Sequence, residues 1–338
     1  MTNSLIRRAV SIFAVVLLVA STTAQAASLQ DGAIIVSGTS EVGTGLIAID
    51  PHTGDQTLIS EGSFGDFAIG GQSTIYALSG DAVVRINTAT GRQRVLTAGH
   101  LLTHPAGIAV TRNRRIFVLT AGFGFLEIIE IAPSGRQSIL TSHLTGLTDV
   151  LDLEATLDSD LVYLTRGCVN SHSSCVLKVD RSTGDSTLLL TASPEIGSLM
   201  LLTGLGVGPS GDIYWASHGF AHDLTIITIN DETGEVQIVG GIIGSVPGTS
   251  PPRIFELIAT DIAVGDDGRV WLTGRDFFGR TGPGLYRAGP FESPSGSFVR
   301  PVVESDGLPF AIGDFSEVQV FKKHKWKEGP GKEARSKN

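Results

Sequence analysis

A short turn recurs along this chain, and it limits the possible folds more than any other feature. It reads PHTGD at 51–55, TATGR at 88–92, APSGR at 132–136, RSTGD at 181–185 and DETGE at 231–235, with a degenerate SPSGS at 293–297. Successive glycines lie 37, 44, 49, 50 and 62 residues apart. Self-similarity at such a period marks an architecture in which each copy buries its apolar face against the next. Alternating apolar runs flank every copy. LIAID, VVRIN, IIEIA, VLKVD, IITIN and LYRAG precede the turns, and QTLIS, QRVLT, QSILT, STLLL, VQIVG and VRPVV follow them. Period-two alternation rich in β-branched residues predicts strands, and glycine supplies the positive φ that a tight hairpin needs.

Two more strands precede each hairpin. The first strands read DFAIG (66–70), GIAVT (107–111), DLEAT (152–156), GLGVG (204–208) and DIAVG (261–265). The second read IYALSG (75–80), IFVLTAG (116–122), VYLTRG (162–167), IYWAS (213–217) and VWLTGR (270–275). Each unit is therefore four antiparallel strands, the pattern of a β-propeller blade. Five complete units run from Gly65 to Glu304. AIIVSG (33–38), LIAID and DQTLIS remain at the N-terminal end and match strands two, three and four, while DFSEVQVF (314–321) remains at the C-terminal end and matches strand one. The sequence thus predicts an all-β fold, a six-bladed β-propeller with the last blade closed by N- and C-terminal strands. Pairing the chain ends removes an open sheet edge.

Three segments, PAGIAVTRNRRIFVL, LTGLGVGPSGDIYWAS and ATDIAVGDDGRVWLTG, share a pattern of alternating apolars, a glycine turn and an aromatic second strand. In this the chain resembles the NHL, SMP-30/gluconolactonase and streptogramin-lyase-like six-bladed propellers over about 290 residues. The resemblance implies the fold. It also implies an alternative activity, a divalent-metal-dependent hydrolase or lyase working at the central channel with Ca²⁺ or Mg²⁺. The first strands lack the asparagines of the lactonase ligand set.

Residues 1–26 read as a signal peptide, with Arg7-Arg8, an apolar run from Ala9 to Ala20 and the cleavage site Ala24-Gln25-Ala26. No other apolar stretch reaches the ~20 residues a transmembrane helix needs. The expected product is an exported monomer, periplasmic or extracellular. Cys168 and Cys175 are its two cysteines, which in an exported chain suggests a disulfide. The propeller is assigned to 27–321 and a basic tail to 322–338, of net charge +5 against −16 for the body. So acidic a body excludes nucleic acid as the partner. Forty-two glycines, 41% apolar and 17% charged residues exclude a disordered chain.

Candidate site residues follow from where the repeat is kept and where it breaks. First strands line a propeller's channel, and at one aligned position they carry Asp66, Gly107, Asp152, Gly204, Asp261 and Asp314. Converging carboxylates suit a divalent cation, and equally suit bonding to backbone N–H groups between blades. Two residues on stand Ala68, Ala109, Glu154, Gly206, Ala263 and Ser316, where Glu154 alone is large and charged. His104, before Pro105, is a candidate general base or metal ligand. The loops after the second strands offer Arg166, His218, His222, Asp223, Arg275 and Asp276 as ligand contacts. Two function classes result. One is an exported scaffold binding a small molecule or protein on its loop face, with no catalysis assigned. The other is the metal enzyme, with Asp66, Asp152, Glu154, Asp261 and Asp314 around the cation and His104 moving the proton.

Overall fold

The computed structural model describes residues 29–122, 125–142, 149–158, 160–168, 171–191, 201–218, 224–242, 244–246, 253–255, 257–276, 283–288, 311–312 and 314–322. All regular structure among them is strand. Six four-stranded antiparallel sheets form the blades. Blade I is built from both chain ends. Its first strand, Asp314–Val320, pairs with Ile34–Ser40, and Gly43–Ile49 and Gln56–Glu61 complete the sheet. The register Val36↔Val318 sets the closure. Blades II to VI begin with Phe67–Gly71, Pro105–Val110, Asp149–Ala155, Leu201–Val207 and Leu257–Val264. The expected closure and strand order are therefore the observed ones.

Two details differ from the sequence expectation. The fourth strand of blade VI is the short Ala311–Ile312 paired to Gly284–Ala288, and VRPVV lies outside the described residues. The long connection after blade V, where the repeat marks no strand, contains a small hairpin of Gly244–Val246 with Arg253–Phe255.

The core lies between blades rather than within them. Separate clusters join neighbouring blades: Phe67 with Ile35, Phe117 with Tyr163, Leu164 with Trp215, Ala216 with Tyr286, and Trp271 with Phe315. Second-strand aromatics Phe117, Tyr163, Trp215 and Trp271 fill three of these seams, and Phe67 and Tyr286 the other two, because a twisted sheet leaves a wedge that small residues cannot close. Burying one such side chain contributes about 1.5–3 kcal/mol.

The recurring turn holds blades together as well as reversing the chain. Gly54, Gly91, Gly135, Gly184 and Gly234 all have φ between 66° and 85°. Asp50, Asp180 and Asn230 each accept two backbone N–H bonds inside their turns. A Cβ on Gly91 would stand 2.5 Å from Ile59 O, and one on Gly184 would stand 2.7 Å from Leu140 O, both in the preceding blade. Glycine is needed there for the φ and for the close approach.

Candidate functional site

The first strands share a device that a plain alternating pattern conceals. In five blades their pairing shifts register just before the axial residue, between Pro105 and Gly107, Val150 and Asp152, Leu202 and Leu205, Ala259 and Asp261, and Phe315 and Glu317. A bulge of this kind re-aims the next side chain. Here it sets the carboxylates at the axis.

Each axial Asp clamps two blades. Asp66 Oδ1 accepts the N–H of Phe67 at 2.6 Å and Oδ2 that of Ile108 at 2.6 Å. Asp152 takes Leu153 N–H at 2.7 Å and Leu205 N–H at 2.5 Å. Asp261 takes Ile262 N–H and Val318 N–H, both at 2.7 Å. Blades II, IV and VI thus supply carboxylates, and blades III, V and I supply donors. The residue before each inter-blade donor is Gly107, Gly204 or Glu317. A Cβ on Gly204 would fall inside contact distance of Asp261 Oδ1 and 2.9 Å from Asp152 Oδ2. Glycine is the residue that lets these oxygens approach the axis.

The position assigned to Asp314 is occupied by Glu317. Asp314 pairs with Thr39, three residues before the axial position, and its side chain lies outside the described residues. The DF dipeptides at 66 and 314 invited the wrong alignment, whereas matching Val318 and Val320 to Phe67 and Ile69 yields the observed one. Glu317 is hydrogen-bonded to Asp261, and its carboxyl is pushed well up by burial and by the charges of Asp261, Asp66 and Asp152. Burial and the Asp152 charge likewise raise Asp66 and Asp261, and burial lifts Asp152 to about 6. Four carboxyls in so low a dielectric cannot all be ionised without penalty.

Correcting the register also changes the next ring. It comprises Ala68, Ala109, Glu154, Gly206, Ala263 and Gln319, with the two long polar residues on opposite blades, IV and I. They meet across the channel, where Gln319 Nε2 donates to Glu154 Oε1 at 3.2 Å. Gln319 Oε1 accepts the N–H of Ile69 at 3.2 Å, so the amide is held from both ends. The four small residues leave space around this bridge. That space is a pocket of about 580 Å³, counting its open mouth, lined also by Ile69, Val110, Val264 and Lys322.

Lys322 continues the first strand of blade I to the rim. Its side chain is 16% exposed and its Nζ lies 3.5 Å from Asp266 Oδ1, in the first turn of blade VI. Burial lowers its pKa, while Asp266 and Glu154 act against that shift. Lys322 thus serves the propeller's pocket, although its composition groups it with the basic tail. Gln319 and Glu317 were missed for the register reason given above.

The remaining candidates lie elsewhere. His104 is exposed, with φ 50°, and its carbonyl accepts the N–H of Ala121. It precedes Ala109, the ring neighbour of Glu154, by five residues and stands before the first strand of blade III, at the end away from the pocket. His104 and Glu154 therefore do not form one acid–base pair. Arg166, His218, Arg275 and Asp276 lie where second strands end, on the face opposite the pocket, paired with Asp149, Leu201, Ile258 and Leu257. Their side chains, and His222 and Asp223 entirely, lie outside the described residues. Cys175 is buried and pairs in register with Thr165, and Cys168 pairs with Ser171.

The donor set does not fit a divalent cation at the axial ring. Each oxygen of Asp66, Asp152 and Asp261 already accepts a backbone N–H bond, which spends one of its two lone-pair directions on the fold. Among the described residues, no group of three or more His, Cys, Asp or Glu has metal-holding geometry.

No family model matches the sequence, and no curated protein is significantly similar. Solved structures do resemble it. A Bacteroides caccae protein of unknown function is 13% identical at a TM-score of 0.52, covering 86% of this chain and 99% of its own. A Xanthomonas campestris gluconolactonase is 12% identical at 0.51, covering 78% and 83%. TolB from Acinetobacter baumannii is 14% identical at 0.52, covering 86% and 66%. At this identity the likeness is one of fold, and it agrees with the resemblance read from the repeats.

Proposed function

We propose that this chain is an exported binding propeller that takes a small ligand in the axial pocket bridged by Glu154 and Gln319, with no catalysis assigned. One observation carries the reading. The axial Asp carboxylates are consumed in fastening blades together, whereas the next ring outward departs from small residues at two places and is open. Fastening is a fold role, and a partly apolar cavity with a few fixed polar groups is what a ligand site needs. A protein partner on the loop face rests on the residues at the ends of the second strands. Export rests on the leader-like residues 1–26, and a Cys168–Cys175 disulfide accords with it. Mature protein beginning at Ala27, with no titratable thiol when unfolded without reductant, supports both.

A thermal-shift screen of small metabolites tests the binding reading. Hits that stabilise wild type and are lost in Glu154→Gln are expected, since a ligand that binds only the folded state raises its melting temperature. The alternative hydrolase reading is favoured if the protein opens a simple lactone with cation-dependent turnover that Glu154→Gln abolishes.

A further inference from the structure

The axial pocket is electrically graded along its depth. Glu154 lines it, and the carboxyls of Asp66, Asp152, Asp261 and Glu317 lie one ring further in, two residues before the lining residues Ala68, Glu154, Ala263 and Gln319 on the same strands. Its rim carries Lys322, a largely buried ammonium whose ion pair to Asp266 is long at 3.5 Å and whose partner is 52% exposed. Between these ends the walls are the small residues Ala68, Gly206 and Ala263 and the backbone beside them. A plain anion entering this space meets the inner carboxylates. A plain cation must pass and displace the field of Lys322. A molecule with positive charge at one end and negative charge at the other satisfies both.

We infer that the pocket binds a small zwitterion, an amino acid in the broad sense, with its ammonium turned inward to Glu154 and its carboxylate outward to Lys322. Gln319 positions the Glu154 carboxylate, and the small residues Ala68, Gly206 and Ala263 leave room for the ligand's carbon chain. This rests on the binding reading above and adds the chemical class of the ligand. Fields inside a low-dielectric cleft act strongly on a bound charge, so each end of the ligand is expected to matter separately.

Calorimetric titration of the folded wild-type chain with leucine, 4-aminobutanoate and 6-aminohexanoate, beside butylamine and butanoate, provides the test. At least one zwitterion is expected to bind tenfold or more tightly than both single-charge compounds. In Glu154→Gln that zwitterion is expected to fall to the level of butanoate, and in Lys322→Met to that of butylamine. Unchanged melting without ligand shows that each variant is folded. Equal binding of all five compounds, no binding of any zwitterion, or insensitivity to both substitutions overturns the inference. Glu154-dependent binding of an uncharged metabolite from the screen overturns it while leaving the binding reading intact. Absence of any Glu154-dependent ligand removes both.

Discussion

Asp152 illustrates how much one side chain does at the axis. It is 5% exposed and holds the N–H groups of Leu153 and Leu205 in two blades. Asp152→Ala strands both donors, and each buried unsatisfied group costs about 1–3 kcal/mol. A loss of roughly 3–5 kcal/mol in urea unfolding is expected, far above a typical surface change. The same cluster sets a pH dependence. Folding raises the pKa of Asp66, Asp152, Asp261 and Glu317, so the folded state binds the extra protons. Their contribution is complete below about pH 4, the unfolded carboxylate range, and is lost as pH rises through the folded values, about 6 for Asp152. Asp50 is shifted down by turn N–H bonds and Asp180 by the Ser182 hydroxyl and then turn N–H bonds, so their contribution is lost only on acidification below the unfolded range. Urea midpoints are therefore expected to be higher at pH 5 than at pH 8, with Glu317→Gln flattening the difference. A midpoint that rises from pH 5 to pH 8 contradicts the assignment. The in-register Asp residues were legible as a repeated position. Glu317 was not, because the other axial positions hold Asp or Gly and the bulge before it let the Asp-Phe pair at 314 match in its place.

The turn glycines let two costs be separated at the scale of the element. Gly184 and Gly234 have similar φ, 79° and 69°, but a Cβ on Gly184 meets Leu140 O at 2.7 Å while one on Gly234 meets nothing within 4 Å. Gly234→Ala is expected to lose about 1 kcal/mol for the left-handed conformation alone. Gly184→Ala adds the clash with the neighbouring blade, for a total of roughly 2–4 kcal/mol. Paired chemical unfolding of the two variants checks this ordering. These hairpins could be read from sequence because turn chemistry is local. The bulges before the axial residues could not, because an extra residue in one strand leaves the alternation on either side intact and shows only against the partner strand. That hidden residue displaced the sixth alignment and hid Gln319, the partner of Glu154.

For the whole molecule the decisive act is closure. Asp314–Val320 completes blade I and brings Val318 N–H to Asp261, so the last strand fastens two blades at once. A chain ending at residue 313 leaves an unpaired edge on Ile34–Ser40 and a bare carboxylate on blade VI, and is expected to lose cooperative thermal unfolding. Blade number and closure were legible because counting repeats and leftover strands needs no three-dimensional information. The ligand pocket was only half legible, since Glu154 stood out against small residues while its partners came from the chain's far end.

The axial carboxylates fasten blades, each of Asp66, Asp152 and Asp261 joining two through backbone N–H bonds in place of a metal. Thermal melting in chelator, and then with Ca²⁺, Mg²⁺ or Mn²⁺ restored, tests this role most directly. One melting temperature throughout is expected, with Asp152→Asn lowering it equally in every condition. A cation-dependent rise that disappears in Asp152→Asn would instead assign these carboxylates to a metal.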